Sequence, residues 1–424
     1  MTEQPLRVIE ICAGAGGQSL GLEKAGFAHE LAIELDQNAV NTLRHNRPSW
    51  KVAQGDVADL STWNPADYAP KEPNQRPIDL LAGGVPCPPF SIAGKQLGAD
   101  DERDLFAWAV EQVNILKPRA VLLENVRGLS MPRFAGYRQH VLDRLQEFGY
   151  SAEWRLLQAS KYGVPQLRPR FVLIAMAPDH FAHFHWPEPI GEPPTVGETL
   201  LPLISARGWK GAKEWAEKAN DIAPTIVGGS KKHGGADLGP TRAKRAWAAM
   251  GVDALGIANE EPGPDDEFLV GPKLTCEMVA RIQGWDDEEF KWQFTGKKTS
   301  NYRQIGNAFP PPVAKALGVA IAAALNKTAE RRERDIDVQH DPIYRALRSH
   351  GDFLTAAQIA RMTKLELEPH ELERRISLLS RDFHIEIIDG KSPAAYKIGD
   401  FKAFIGQDDH ARHDKFEKLR ARIS

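Results

Sequence analysis

Leu6 to Ala25 reads LRVIEICAGAGGQSLGLEKA. Its first seven residues, Leu6 to Cys12, are mostly apolar and β-branched, as a buried strand requires. A glycine cluster, Ala13-Gly14-Ala15-Gly16-Gly17, follows, and then Gln18 to Ala25 at helical spacing. Strand, Gly-rich turn and helix together open a doubly wound sheet, with glycines that let a ligand approach the backbone at the helix N-terminus. The spacing is not the full dinucleotide fingerprint, so taken alone it fits an empty tight turn too.

Further strands and helices alternate with that opening. His29 to Leu35 reads as a second strand ending in Glu34-Leu35-Asp36. An acid about 20 residues past the Gly loop is where a ribose diol is gripped. Glu34 suits that role, whereas Asp36 precedes the helix Gln37 to Asn46 and suits a cap. At Gly55-Asp56-Val57 the acid can accept from an adenine amino group, with Val57 against the ring face. Ile78 to Ala82 is a fourth strand feeding GGVPCPPFS, in which three prolines stiffen the loop around Cys87. Such stiffness suits a nucleophile, and it equally suits a buried thiol in an ordinary turn. Gly94 to Arg103 reads as a mobile polar loop, and Asp104 to Leu116 as a helix. Ala120 to Leu123 is a fifth strand ending at Glu124, beside the Cys87 strand and at a position where parallel sheets hold ligands. A helix over Phe134 to Phe148 and strands over Trp154 to Ala159 and Arg170 to Ala175 complete the unit. Before the last strand, Arg168 and Arg170 alternate onto one face. One would reach the substrate, the other a phosphate or Glu124.

Composition bounds the rest. The chain has 424 residues, 42% hydrophobic and 26% charged, with net charge −3. These are values of an ordinary globular protein of two or three domains. No apolar run approaches a membrane span and the N-terminus lacks a basic-then-apolar leader, so a cytoplasmic location without membrane is expected. Three cysteines exclude a disulfide framework, and no Cys/His spacing suggests a metal. From Pro178 the strand–helix alternation stops. Residues 209–245 are rich in Lys and Arg around Gly228-Gly229-Ser230-Lys231-Lys232-His233-Gly234-Gly235, which suits phosphate contact as well as a solvated face. Regular order is expected to resume at Leu274, with a short helix over Glu277 to Gln283, and a deeply packed one over Pro312 to Leu325. After a charged linker, three helices and a hairpin between Pro342 and Ile398 suggest a winged helix, or a helical docking module.

Taken in order, EICAGAGGQSLGLEKAGF, ELD, GDV, GGVPCPPFS, ENVRGL, QLRPR and RQIGNAFPPPVAKAL make the chain resemble the DNA cytosine-5 methyltransferases of bacterial restriction–modification systems. The resemblance covers roughly 6–177 and 272–326. It implies an α/β fold with a doubly wound, mostly parallel sheet of the S-adenosylmethionine-dependent methyltransferase type. Around it would sit a smaller target recognition domain and a C-terminal winged-helix-like α+β module. The domains implied are 1–177 plus 272–328 catalytic, 178–271 target recognition, 329–341 linker and 342–424 C-terminal module.

The resemblance also implies roles. Cys87 is the nucleophile that adds to carbon 6 of cytosine. Glu124 contacts ring nitrogen 3 and the exocyclic amine, Arg170 the base carbonyl, and Arg168 supports the pocket. Ala13, Gly14, Gly16, Gly17, Glu34, Leu35, Asp56, Val57, Pro86, Leu105 and Asn307 would hold S-adenosyl-L-methionine. Gln96, Ser230, Lys231, Lys232, His233 and Arg242 would contact double-stranded DNA, and a cognate restriction endonuclease would be a functional partner. A base inside a duplex must be flipped out to react. No residue is assigned to remove the carbon 5 proton. The chain departs from the family at Glu10 and Cys12, where Asp and Phe are common, and at Pro88-Pro89. Three rival readings remain: a tRNA cytosine-5 methyltransferase, whose Cys-Phe-Thr signature is not found in the insert, an amino-methyltransferase, and a DNA-binding regulator acting through the C-terminal module.

Overall fold

A computed structural model describes residues 5–72, 74–85, 105–228, 236–332, 341–366, 368–388 and 394–401. In chain order it holds β1 (Leu6–Ile11), α1 (Gly17–Lys24), β2 (Phe27–Glu34), α2 (Gln37–Asn46), β3 (Val52–Gln54), β4 (Leu80–Gly83), α3 (Leu105–Leu116), β5 (Ala120–Val126), α4 (Ala135–Glu147), β6 (Ser151–Gln158) and β7 (Pro169–Met176). The insert contributes α5 (Pro178–Phe181), α6 (Val196–Ile204), α7 (Ala212–Lys218) and α8 (Thr241–Ala249). Then come α9 (Cys276–Ile282), α10 (Lys298–Asn307) and α11 (Pro311–Leu325). The last segment holds α12 (Pro342–His350), β8 (Leu354–Thr355), α13 (Ala356–Thr363), α14 (Pro369–Asp382), β9 (Phe383–Ile388) and β10 (Ala395–Phe401).

Seven strands form one sheet in the order β3-β2-β1-β4-β5-β7-β6. The first five are mutually parallel, and β7 runs antiparallel to both β5 and β6. Val8, Ile9 and Ile11 are fully buried, as a parallel strand covered on both faces demands. The strand stops one residue short of the expected Cys12, because Cys12 is turned into the left-handed region at φ 51°. The reverse holds at the fifth strand: β5 continues through Glu124 and Asn125. Those polar groups therefore sit on regular sheet rather than on a loop.

Helix α1 lies against α11. A Cβ on Gly21 would meet the Pro311 carbonyl and the Ala314 methyl closer than van der Waals contact allows. The backbones touch there, which fixes the Gly-rich turn in front of the sheet edge. The span Lys298–Leu325 has the length and apolarity of a membrane helix, yet 56% of its window is buried inside the protein. It is also interrupted between α10 and α11, and Val313, Leu317 and Ile321 are core residues.

The insert departs from the expectation of irregular chain. It carries four helices and, among the described residues, no strand of a sheet. The start of α6 has a local cause: Thr195 and Glu198 form a capping box, ahead of Pro202 inside the helix. Nor does the insert enclose a core of its own. Val196, Leu200, Trp215, Ile226 and Trp247 share one cluster with Met278, Ile282, Trp285 and Ile305 from the returning chain. The C-terminal segment is likewise continuous with the main core. Ile343, Leu347, Leu372 and Ile376 join the cluster of α3 and α4. Tyr344 donates to Asp143 Oδ2 on α4 at 2.7 Å, and Phe383 packs edge-on against His140.

The α1–α11 contact makes an unusual prediction. Helix propensity alone would make Gly21→Ala stabilising by about 1 kcal/mol. Overpacking against α11 opposes this by about 1–3 kcal/mol. We expect net destabilisation, measured as a lower denaturant midpoint at unchanged m-value.

Candidate active site

The carboxyl ends of the parallel strands open into a cavity of about 500 Å³. Cys12 to Ala15, Gly17 and Gln18 line it from β1, Glu34 to Asp36 from β2, and Gly55 to Ala58 from β3. Gly84 closes it from β4 and Glu124 from β5, while Ser300, Arg303, Gln304 and Asn307 form the opposite wall. A volume of this size suits a small-molecule ligand.

Gly14 is left-handed at φ 56°, and a Cβ there would meet no atom, so its open side is free for a ligand. Glu34 is held from two sides: Oε2 accepts from Gly14 N and Oε1 from Asp36 N, each at 2.7 Å. Burial nevertheless raises its pKa above the usual carboxylate value, against those two bonds. Asp36 caps α2, accepting from Asn38 and Ala39, as its position in the sequence suggested. Asp56 accepts from Ala58 N in an Asx turn, and Val57 is fixed by Trp63 Nε1 donating to its carbonyl at 2.7 Å. Leu35 and Leu105 also line the cavity.

Gly16 differs from expectation. It does not line the cavity, since a Cβ there would lie 2.6 Å from the Trp292 ring, and its φ of 95° serves the turn into α1. Its glycine answers to packing and to the turn.

At the far end, Glu124 and Arg170 form a buried ion pair, Oε2 to Nε 3.3 Å. The register explains it: Val126 pairs with Arg170 and Glu124 with Val172, so the two side chains are diagonal neighbours on one face. Burial raises the Glu124 pKa, opposed first by Arg170 and then by Arg168. Gly84 makes room, for a Cβ there would stand 2.9 Å from Glu124 Oε1. Next to it, Asn125 Nδ2 donates to the Val85 carbonyl at 3.1 Å. The chain leading to Cys87 is thus fastened beside Glu124. Where the chain returns, Phe106 is fully buried and stacks on Trp154, which stacks on Phe171.

Arg168 does not share the cavity. It is 1% exposed, and its guanidinium donates to the carbonyls of Ile226, Gly306 and Ala308. It ties the insert to the end of α10, just where Asn307 faces the cavity. Arg242 is exposed on α8. Two lysines of the basic stretch 209–245 are engaged with acids: Lys210 with Asp265, and Lys244 with Asp237. Cys87, Pro86, Gln96, Ser230, Lys231, Lys232 and His233 lie outside the described residues, as do the loop Gly94 to Arg103 and most of the charged linker. The sequence reading missed Cys12, Gln18, Ser300, Arg303 and Gln304 as lining residues. The last three come from α10, about 280 positions after the Gly loop, and no local pattern brings them there.

The family model of the C-5 cytosine-specific DNA methylases matches residues 6–323. The chain belongs to that family. It is 66% identical over 421 residues to M.NaeI, a Type II methyltransferase of Lentzea aerocolonigenes, covering 99% of this chain and all of that one. M.NgoMIV, a Type II methyltransferase of Neisseria gonorrhoeae, is 50% identical over 323 residues, 75% of this chain and 98% of the relative. Among solved structures, a presumed DNA modification methyltransferase from an E. coli prophage matches with TM-score 0.51 and 25% identity, over 76% of this chain and 99% of that one. This chain is therefore a DNA (cytosine-5) methyltransferase that uses S-adenosyl-L-methionine as methyl donor. The tRNA reading has no support from M.NaeI and M.NgoMIV.

The ion pair sets a pH-dependent expectation. Removing Arg170 leaves Glu124 buried without its main counter-charge, so its pKa rises further. A carboxyl with a raised folded pKa contributes stability at low pH that is lost as pH rises through that value. Arg170→Met should therefore destabilise the protein more at about pH 8 than at about pH 5, by urea titration at both. An equal loss at both would contradict the pairing.

Proposed function

We propose that Cys87 is the nucleophile, Glu124 and Arg170 hold the flipped cytosine, and the cavity from Gly14 to Asn307 binds the donor. The observation carrying this reading is Glu124, which lines one end of a cavity whose other end carries Glu34 and Asp56 and is paired with buried Arg170 behind it. The chain two residues before Cys87 is fastened to Asn125 beside it.

The cavity fits S-adenosyl-L-methionine. Glu34 offers a half-buried carboxylate with lone pairs to spare for a ribose diol, Asp56 and Val57 suit an adenine, and Gly14 leaves its side open. When bound there, this donor supplies an electrophilic methyl group on a sulfonium. The protein's residues do the rest. The Cys87 thiolate adds to carbon 6, with Glu124 bound at ring nitrogen 3 to favour the charge that builds in the ring. Carbon 5, made enamine-like by that addition, would accept the donor's methyl, the S–CH3 bond breaking and the sulfonium leaving as a neutral thioether. Loss of the carbon 5 proton to a base and expulsion of the thiolate restore the ring. Burial raises the Glu124 pKa against Arg170 and Arg168, the direction that helps a carboxyl share a proton with nitrogen 3.

Residues 1–177 with 272–328 are the catalytic unit, 178–271 the target recognition unit, and 342–424 a winged-helix-like module. Within that module, three helices and a three-stranded sheet in the order β8-β10-β9, with β8 between the first two helices and β9-β10 after the third, favour the last assignment. Ser230, Lys231, Lys232, His233, Gln96 and Arg242 contact DNA. As M.NaeI and M.NgoMIV are Type II methyltransferases, we assign this enzyme to protection of host DNA from a cognate restriction endonuclease, in the cytoplasm.

Cys87→Ala should abolish turnover while binding of S-adenosylhomocysteine, read by calorimetry, stays within about twofold. DNA carrying 5-fluorocytosine should trap a denaturant-stable complex with the wild type and none with this variant. A variant that still methylates would overturn the assignment. Independently, Arg242→Ala should weaken DNA binding and reduce the slope of log K against log salt by about 1, if it touches a phosphate. An unchanged slope would remove Arg242 from the interface.

A further inference from the structure

Gln18 is the second residue of α1 and lines the cavity. It is only 3% exposed, yet among the described residues neither its Nε2 nor its Oε1 has a hydrogen-bond partner. Buried amides are normally paired, so an orphaned one facing a ligand cavity marks a group waiting for that ligand. The same helix end is open in a second way. Its N-cap, Gly16, has no side chain to cap with, and the first helical bond runs from Leu20 N to Gly16 O. The N–H groups of Gly17, Gln18 and Ser19 thus have no acceptor within the helix.

The strand order tells which part of the donor lies here. Along the sheet edge the cavity passes from β3, with Asp56 and Val57, to β2, with Glu34, then to the β1 turn and Gln18, and on to Gly84 and Glu124. Adenine and ribose are accounted for by the first two stations, and the base by the last. What remains for the station at Gln18 is the amino-acid tail.

We propose that Gln18 is a specificity residue for the α-amino-acid end of the methyl donor. Its amide N–H donates to the carboxylate and its carbonyl accepts from the ammonium, beside the open helix N-terminus. A carboxamide suits a zwitterion because it offers a donor and an acceptor without adding net charge. The proposal rests on the cavity being the donor site.

The test is calorimetry on the full chain with two probes. S-adenosylhomocysteine carries the amino-acid tail, and 5′-methylthioadenosine lacks it. Gln18→Met, close in volume, should weaken S-adenosylhomocysteine by about tenfold or more and leave 5′-methylthioadenosine within about twofold. Gln18→Glu should weaken the first probe further, by repelling its carboxylate. Without ligand, Gln18→Met should melt no lower than the wild type, since it removes an unpaired buried amide. The proposal is overturned if the variant binds S-adenosylhomocysteine normally, if both probes weaken alike, or if the unliganded variant melts lower. Should the wild type bind neither probe, the donor-site reading falls and takes the proposal with it.

Discussion

A carboxylate buried against a guanidinium governs this structure. Glu124 and Arg170 meet inside the sheet, on adjacent antiparallel strands and on one face. Taking such a pair out of water is costly, and removal of either partner leaves an uncompensated charge. The surroundings are arranged around it. Gly84 yields the space that a Cβ would occupy, and Asn125 grips the Val85 carbonyl on the way to Cys87. A stack of Phe106, Trp154 and Phe171 fixes the chain where it returns. Glycine and asparagine at those positions are therefore answers to one electrostatic problem.

The antiparallel β7 is what makes the pair possible. Were the sheet wholly parallel, the strand beside β5 would bring its own carboxyl end to the cavity. With β7 reversed, its first residues lie level with the last residues of β5. The alternation of Arg168 and Arg170 then has a consequence beyond a shared face. Arg170 meets Glu124, while Arg168 turns to the carbonyls of Ile226, Gly306 and Ala308. One arginine pairs with the acid that lines the cavity. The other joins the insert to the wall that carries Asn307, adding a buried guanidinium to the apolar core that the two already share.

Among the described residues, the last quarter of the chain adds no wall to the cavity. The family match stops at residue 323, and M.NgoMIV spans only 75% of this chain while being almost wholly covered itself. M.NaeI is matched over its full length. The C-terminal segment nonetheless shares an apolar core with α3 and α4, through Tyr344, Phe383 and their neighbours. It is built onto the helix layer behind the site rather than hung from a linker.

Much of this was determined by the sequence alone. Local rules placed β1, the Gly turn, α1 and the Asp36 cap, because strand patterning, left-handed glycines and N-cap bonds act over a few residues. They also singled out Glu34, Asp56, Glu124 and Arg170 by chemistry at strand ends. Other features depend on residues far apart. Gly16 turned out to answer to Trp292, and Gln18 to an emptiness beside it. The wall of Arg303, Gln304 and Asn307 arrives only because α11 packs backbone-to-backbone on α1. The insert's helices share a core with the returning chain, so their burial could not be read from their own pattern. Tertiary packing decided these, since distance through space carries no signature in the order of residues.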